Sequence, residues 1–189
     1  MSLLLHTCCA PCLLYPEKVL TKKGIAFSGY FFNPNIHPYK EFRRRLDAVT
    51  SYTEEQKISL IVDRDYGLQE FLRAIVFKED QRCPFCYQMR FEKTIHMAEK
   101  HGFESFSTTL LYSKYQNHKL LKQQGLELSA TRPVAFLYQD FREGWQQGID
   151  DSISLGLYRQ SYCGCIYSEQ ERYDNRLKKR LRKEKKKNV

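Results

Sequence analysis

The chain has 189 residues, of which 42% are hydrophobic and 28% charged, with 12 Phe and 13 Tyr. That length buries about 70% of the unfolded surface in one domain without disulfide staples, and the aromatic content excludes disorder as the overall state. The formal net charge is +9, concentrated at one end: from Arg176 to Lys187 nine Lys or Arg stand against one Glu, and the rest of the chain is nearly neutral.

No apolar run approaches the roughly 20 residues of a bilayer-spanning helix. The opening Met1-Ser2-Leu3-Leu4-Leu5-His6 lacks the basic and apolar regions of a signal peptide. A cytoplasmic location and no membrane partner are the expectation.

In chain order, Leu3 to His6 reads as a buried strand that stops at Cys8-Cys9. A helix follows from about Pro11 to Lys23, capped by Gly24. Ile25 to Phe32 reads as a second strand and Asn33-Pro34-Asn35 as a turn. Pro38 opens a charged helix. Ser59 to Val62 is a third strand, and Leu68 to Val76 a short amphipathic helix. Arg82 to Cys86 reads as a loop, with a helix from Tyr87 to His101 closed by Gly102. Ser105 to Thr109 is a fourth strand, and Ser113 to Gln124 a helix closed by Gly125. A short strand near Val134 to Leu137, a helical stretch to Tyr158 and a basic helix with Tyr173, Leu177 and Leu181 on one stripe complete the pattern.

Strand and helix alternate through the first 125 residues. That predicts an α/β fold: a mostly parallel sheet with helices on both faces, Rossmann-like or HUP-like, plus a helical C-terminal part. One catalytic domain over 1–175 and a basic tail over 176–189 are expected. In such sheets ligands bind beyond the carboxyl ends of the strands, where Cys8 and Cys9 follow the first strand and Thr108 and Thr109 end the fourth.

Seven cysteines fall in three clusters: Cys8, Cys9 and Cys12; Cys83 and Cys86; Cys163 and Cys165. The odd number and the cytoplasmic setting argue against a disulfide framework. No glycine-rich phosphate loop follows the first strand; His6-Thr7-Cys8-Cys9-Ala10-Pro11-Cys12 occupies its place. Cys8, Cys9, Cys83 and Cys86 make four thiolates, enough for tetrahedral zinc or a [4Fe–4S] cluster. Adjacent cysteines suit a cluster better than a zinc knuckle, whose pairs are spaced by two to four residues. Cys163-Gly164-Cys165 reads as a strained, reducible disulfide or as further ligands. Asp140 and Arg142 form either a surface ion pair or a binding element, and Cys12 either packs or binds a second metal. His6, His37 and His118 read as satisfied or exposed rather than as ligands.

Together these blocks resemble the QueH-type epoxyqueuosine reductases. The likeness is carried by Leu4 to Cys12, Asn33 to Pro38, Cys83-Pro84-Phe85-Cys86-Tyr87 with Arg90, and Thr108 to Leu111 followed by Ser113, Gln116 and Asn117; it continues through Asp140-Phe141-Arg142 and Tyr158 to Cys165. The resemblance implies reduction of an epoxide on a modified base at the tRNA wobble position, the last step of queuosine synthesis. It implies a [4Fe–4S] cluster on Cys8, Cys9, Cys83 and Cys86, and a redox-active pair in Cys163 and Cys165. An additional iron is also implied, with Cys12 and Asp140 as candidate ligands. Thr108, Thr109, Gln116, Asn117, Arg142 and Tyr162 are the expected substrate contacts, with tRNA and an unidentified electron donor as partners. The competing readings are a tRNA-thiolating enzyme, a zinc-stabilised RNA-binding module without catalysis, and a metal-free thiol–disulfide oxidoreductase.

Overall fold

The computed structural model describes residues 2–180. Five strands, β1 (Ser2–His6), β2 (Ala26–Phe31), β3 (Leu60–Val62), β4 (Ser105–Thr108) and β5 (Ala135–Phe136), form one sheet in the order β3-β2-β1-β4-β5. Every pairing is parallel, and His6 lies beside Tyr30 on one side and Thr108 on the other. Leu3, Leu4 and Leu5 are wholly buried, as a central strand covered on both faces requires.

The helices beside the sheet are α1 (Ala10–Lys22), α2 (Tyr39–Glu55), α3 (Leu68–Ile75), α4 (Arg82–His101), α5 (His118–Ser129), α6 (Trp145–Ser154) and α7 (Ile166–Tyr173). The strand order steps outward from β1 to β3, then returns to β4 on the other side of β1. With right-handed crossovers, α1 and α2 cover one face while α4 and α5 cover the other. The reversal lies between β1 and β4, so the chain ends leaving these strands open a crevice at that point. The α/β expectation holds, with α6 and α7 as the helical C-terminal part.

Several boundaries differ from the sequence reading. Cys83 and Cys86 lie in the first turn of α4 rather than in a loop; the preceding 3-10 turn, Glu79–Gln81, leads directly into that helix. The helix expected over Ser113 to Gln124 begins instead at His118, where Asn117 Oδ1 accepts from the Leu120 N–H at 3.1 Å, and runs to Ser129. Gly125 is therefore inside α5, where a Cβ would collide with the Phe136 ring; close helix–sheet packing, not capping, calls for glycine there. The stretch before Tyr158 ends its helix at Ser154. The basic helix is not continuous with α7: Asp174 interrupts it and its carboxylate accepts from the Arg176 and Leu177 N–H groups, starting a new turn over 175–180. The remainder of the basic tail, 181–189, lies outside the described residues. Among the described residues no helix is long and apolar enough to cross a membrane.

Candidate active site

His6 closes β1 and is wholly buried. Its Nε2 donates to the Phe32 carbonyl at 3.1 Å, which leaves Nδ1 to accept from the Thr108 hydroxyl at 2.9 Å. Burial lowers its pKa to about 3, so the imidazole stays neutral and ties β1 to β4 below the crevice. Thr108 then accepts from the Leu110 N–H at 3.1 Å. This threonine braces the floor of the crevice and does not line the cavity above it.

The three cysteines after β1 converge. One sulfur each from Cys8, Cys9 and Cys12 lie within 4.8 Å of one another, and Cys8 Sγ is 3.7 Å from Cys9 Sγ. Cys9 is the residue that caps α1, and Cys12 stands one turn on. Cys9-Ala10-Pro11-Cys12 is thus itself a C-x-x-C, a signal present in the sequence beside the more conspicuous Cys8-Cys9. Thr109 accepts from the Cys8 N–H at 3.2 Å and lies 3.5 Å from Cys8 Sγ. Gln160 Nε2 donates to Cys9 Sγ at 2.7 Å. Hydrogen bonds from Cys12, Cys9 and Thr109 hold the Cys8 thiol pKa well below its ordinary value. Burial raises Cys9, and the bonds to Cys8 and Cys9 raise Cys12. A metal bound here would take the place of thiol protons, because cysteine coordinates as the thiolate.

A cavity of about 720 Å³ opens over this triad and is lined by Cys8, Cys12, Cys83, Cys86, Cys163 and Cys165. All seven cysteines are free thiols. Burial raises the pKa of Cys86 to about 12 and of Cys165 to about 11, and raises Cys83 as well. Arg90, 3% exposed, donates to Cys86 Sγ at 2.7 Å.

The Cys163-Gly164-Cys165 loop is clamped from α2. Arg45 is 1% exposed and gives Nη1 to the Cys163 carbonyl at 2.9 Å and Nη2 to the Tyr162 carbonyl at 3.1 Å. Glu41 holds Arg45 Nε at 2.7 Å. The His37 N–H donates to the Gly164 carbonyl at 2.8 Å, and the Tyr162 hydroxyl donates to the His37 carbonyl at 2.6 Å. Cys163 Sγ lies 2.9 Å from Ser168 Oγ. Neither Glu41 nor Arg45 announces itself in the sequence, because an i,i+4 Glu–Arg pair normally marks a solvated helix face.

Of the expected substrate contacts, Thr109, Gln116 and Tyr162 line the cavity. Asn117 caps α5. Asp140 and Arg142 form a half-exposed ion pair away from the cavity lining, with Arg142 Nε at 2.9 Å. Asp140 also stands 3.9 Å from His118 Nδ1. Its carboxylate lies below the usual range, at about 2, chiefly because of Arg142. The structure thus groups Cys12 with Cys8 and Cys9, brings Cys83 and Cys86 to the lining of the same cavity, and leaves Asp140 outside that lining.

Cys8, Cys86 and Cys165 are buried, Cys12 is half-buried, and Cys83 and Cys163 are exposed; a cavity lined by this many sulfur donors suits a thiophilic metal centre. They exceed the four ligands of a structural zinc site.

The family model described as "Epoxyqueuosine reductase QueH" matches residues 3–171. A protein of that name from Dehalococcoides mccartyi is 39% identical over 172 residues, covering 91% of this chain and 94% of its own. Its namesake from Thermotoga maritima is 34% identical over 181 residues, covering 90% and 92% respectively. One from Haemophilus influenzae is 35% identical over 176 residues, covering 88% and 71%. The chain belongs to the epoxyqueuosine reductase QueH family.

Proposed function

We propose that this protein is an epoxyqueuosine reductase that acts on tRNA carrying epoxyqueuosine at the wobble position and uses an iron–sulfur centre. The observation that carries the reading is the gathering of cysteines from three distant parts of the chain around one cavity. A zinc module needs four thiolates and leaves Cys163 and Cys165 without a role.

Cys8, Cys9, Cys83 and Cys86 would hold a [4Fe–4S] cluster, with Cys12 beside Cys8 and Cys9 as a ligand for an additional iron. A bound cluster supplies electrons one at a time. Opening the epoxide to the alkene releases its oxygen as water and consumes two electrons and two protons. Oxidation of Cys163 and Cys165 to a disulfide releases two electrons and two protons, so the pair balances one turnover. An external donor then reduces the disulfide. Thr109, Gln116 and Tyr162 line the space that would take the modified base.

The test is metal and sulfide analysis of anaerobically purified protein, joined to turnover on tRNA carrying epoxyqueuosine. About four irons and four sulfides per chain and loss of one oxygen from the nucleoside by mass spectrometry are expected. One zinc without sulfide, and no change in the nucleoside, would overturn the reading in favour of a zinc-stabilised RNA-binding module.

A further inference from the structure

Tyr115 is 84% exposed although it lines the cavity. An aromatic ring left in water at the wall of a site lacks the burial that usually accounts for aromatic side chains. It is not on a loose segment. The Tyr115 N–H donates to Ser113 Oγ at 3.2 Å and the Gln116 N–H to the Ser113 carbonyl at 3.3 Å. Gln116 Oε1 accepts from the Tyr87 hydroxyl at 2.8 Å, and the Asn117 N–H donates to that same hydroxyl at 3.2 Å. The loop therefore presents the ring from a position braced against Tyr87 of α4.

Behind Tyr115 the aromatic wall continues inward. Trp145 meets it edge-on with ring centres 5.5 Å apart, and Tyr112 meets Trp145 at 5.1 Å. Gly148 on α6 makes room for Tyr112, whose hydroxyl would meet a Cβ there.

Charge on the lining is one-sided. Five arginines, Arg45, Arg82, Arg90, Arg159 and Arg172, stand against Glu171 alone. Arg45 is engaged by Glu41 and Arg82 by Glu171. Arg159 and Arg172 are exposed, and among the described residues no carboxylate pairs with either. A cavity with an aromatic wall and free guanidinium groups has the chemistry that tracks single-stranded nucleic acid: rings for bases, cations for phosphates.

An enzyme that works on a base inside a strand must draw that base out of its stack. The neighbouring base then loses a stacking partner, at a cost of a few kcal/mol unless another flat surface replaces it. We propose that Tyr115, backed by Trp145, is that surface: it stacks on the base adjacent to the nucleotide that enters the cavity, while Arg159 and Arg172 hold the flanking phosphates. The inference rests on the tRNA reading and assigns the residues that bind the RNA strand outside the thiol-lined interior. Tyr115 is here a positioning residue and touches no reacting atom.

The experiment measures binding of an unmodified anticodon stem-loop RNA to the metal-loaded protein across a salt series, for the native chain, Tyr115→Ala, Tyr115→Phe and Arg159→Gln. Trp145 is the single tryptophan of the chain, so quenching of its fluorescence reports a base arriving at this wall. Tyr115→Ala should weaken binding about tenfold, within the range of base–aromatic stacking, with an unchanged salt slope and reduced quenching. Tyr115→Phe should bind as the native chain does. Arg159→Gln should lower the salt slope by about 0.7, the value of one phosphate contact on a single strand. Native affinity in both Tyr115→Ala and Arg159→Gln would overturn the inference while leaving the tRNA reading standing. Failure of the native chain itself to bind the stem-loop would overturn the tRNA reading, and the inference with it.

Discussion

Arg90 Nη2 lies 2.7 Å from the sulfur of Cys86 one helical turn earlier, while its Nε donates to the Cys86 carbonyl at 3.1 Å. The guanidinium is 3% exposed, and among the described residues no carboxylate pairs with it. A buried cation needs an opposite charge close by. Here the candidates are sulfurs: Cys86, Cys8 and Cys163 all lie within electrostatic reach. The arrangement is stable when these sulfurs are anionic, which is the state of metal ligands. Arg90→Met is expected to cut the iron retained after anaerobic purification by more than half, with Arg90→Lys between it and the native protein. Equal iron in all three would show that Arg90 has no counter-charge role.

The Cys12 sulfur lies with those of Cys8 and Cys9. Cys12→Ser is expected to leave the absorption of a [4Fe–4S] cluster in place while removing iron in excess of about four per chain. Loss of the whole cluster would instead make Cys12 one of its ligands.

The clamp on the Cys163–Cys165 loop depends on one carboxylate. Glu41→Gln leaves Arg45 buried beside two carbonyls with no negative partner. Breaking a buried pair on one side costs about 3–5 kcal/mol, so urea unfolding should show a lower midpoint. Alkylation of Cys163 and Cys165 should quicken in the same variant as the loop loosens. An unchanged midpoint and unchanged alkylation would show that the loop is held by other contacts.

Gly164 has φ +121, and a Cβ there would meet Ile36 Cγ1 at 2.8 Å. Both the backbone region and the contact exclude a side chain. Gly164→Ala is expected to cost about 1–3 kcal/mol and to shift the reduction potential of the Cys163–Cys165 pair, measured against glutathione buffers. A native potential with native stability would remove the constraint assigned to this glycine.

His37 is 1% exposed, with its ring against Tyr66 and Phe71. Burial lowers its pKa from 6.5 to about 4. The folded state thus binds this proton less readily than the unfolded chain. Its contribution to stability is complete above about pH 6.5 and is lost as the pH falls from there toward 4. Unfolding free energy measured from pH 7 to pH 4 should fall less steeply in His37→Phe than in the native protein. Parallel slopes would assign the acid sensitivity to other groups.

Much of the architecture was legible because it is written locally. The Leu3-Leu4-Leu5 run, the glycine after α4 and the alternation of apolar strands with helical stretches mark elements through contacts a few residues apart. The misreadings arose where a residue served a distant partner. Gly125 looked like a cap because glycine usually ends helices, but it is glycine on account of Phe136 on β5. The Cys83 pair looked like a loop because Pro84 follows it, yet proline is at home in the first turn of a helix.

By itself the sequence determined the parallel α/β fold, the three cysteine clusters along the chain and the placing of Cys8 and Thr109 at the carboxyl edge of the sheet. Those follow from periodicity and from the order of β and α segments, which leave few ways to build the sheet. Only the tertiary structure decided that the sulfurs of Cys8, Cys9 and Cys12 converge, that the Asp140–Arg142 pair lies outside the cavity lining, and that Glu41 and Arg45 grip the Cys163–Cys165 loop from a helix 117 or more residues earlier. Such contacts depend on how far each crossover carries a helix across the sheet and on which charges become buried there. Neither quantity has a local sequence period to reveal it.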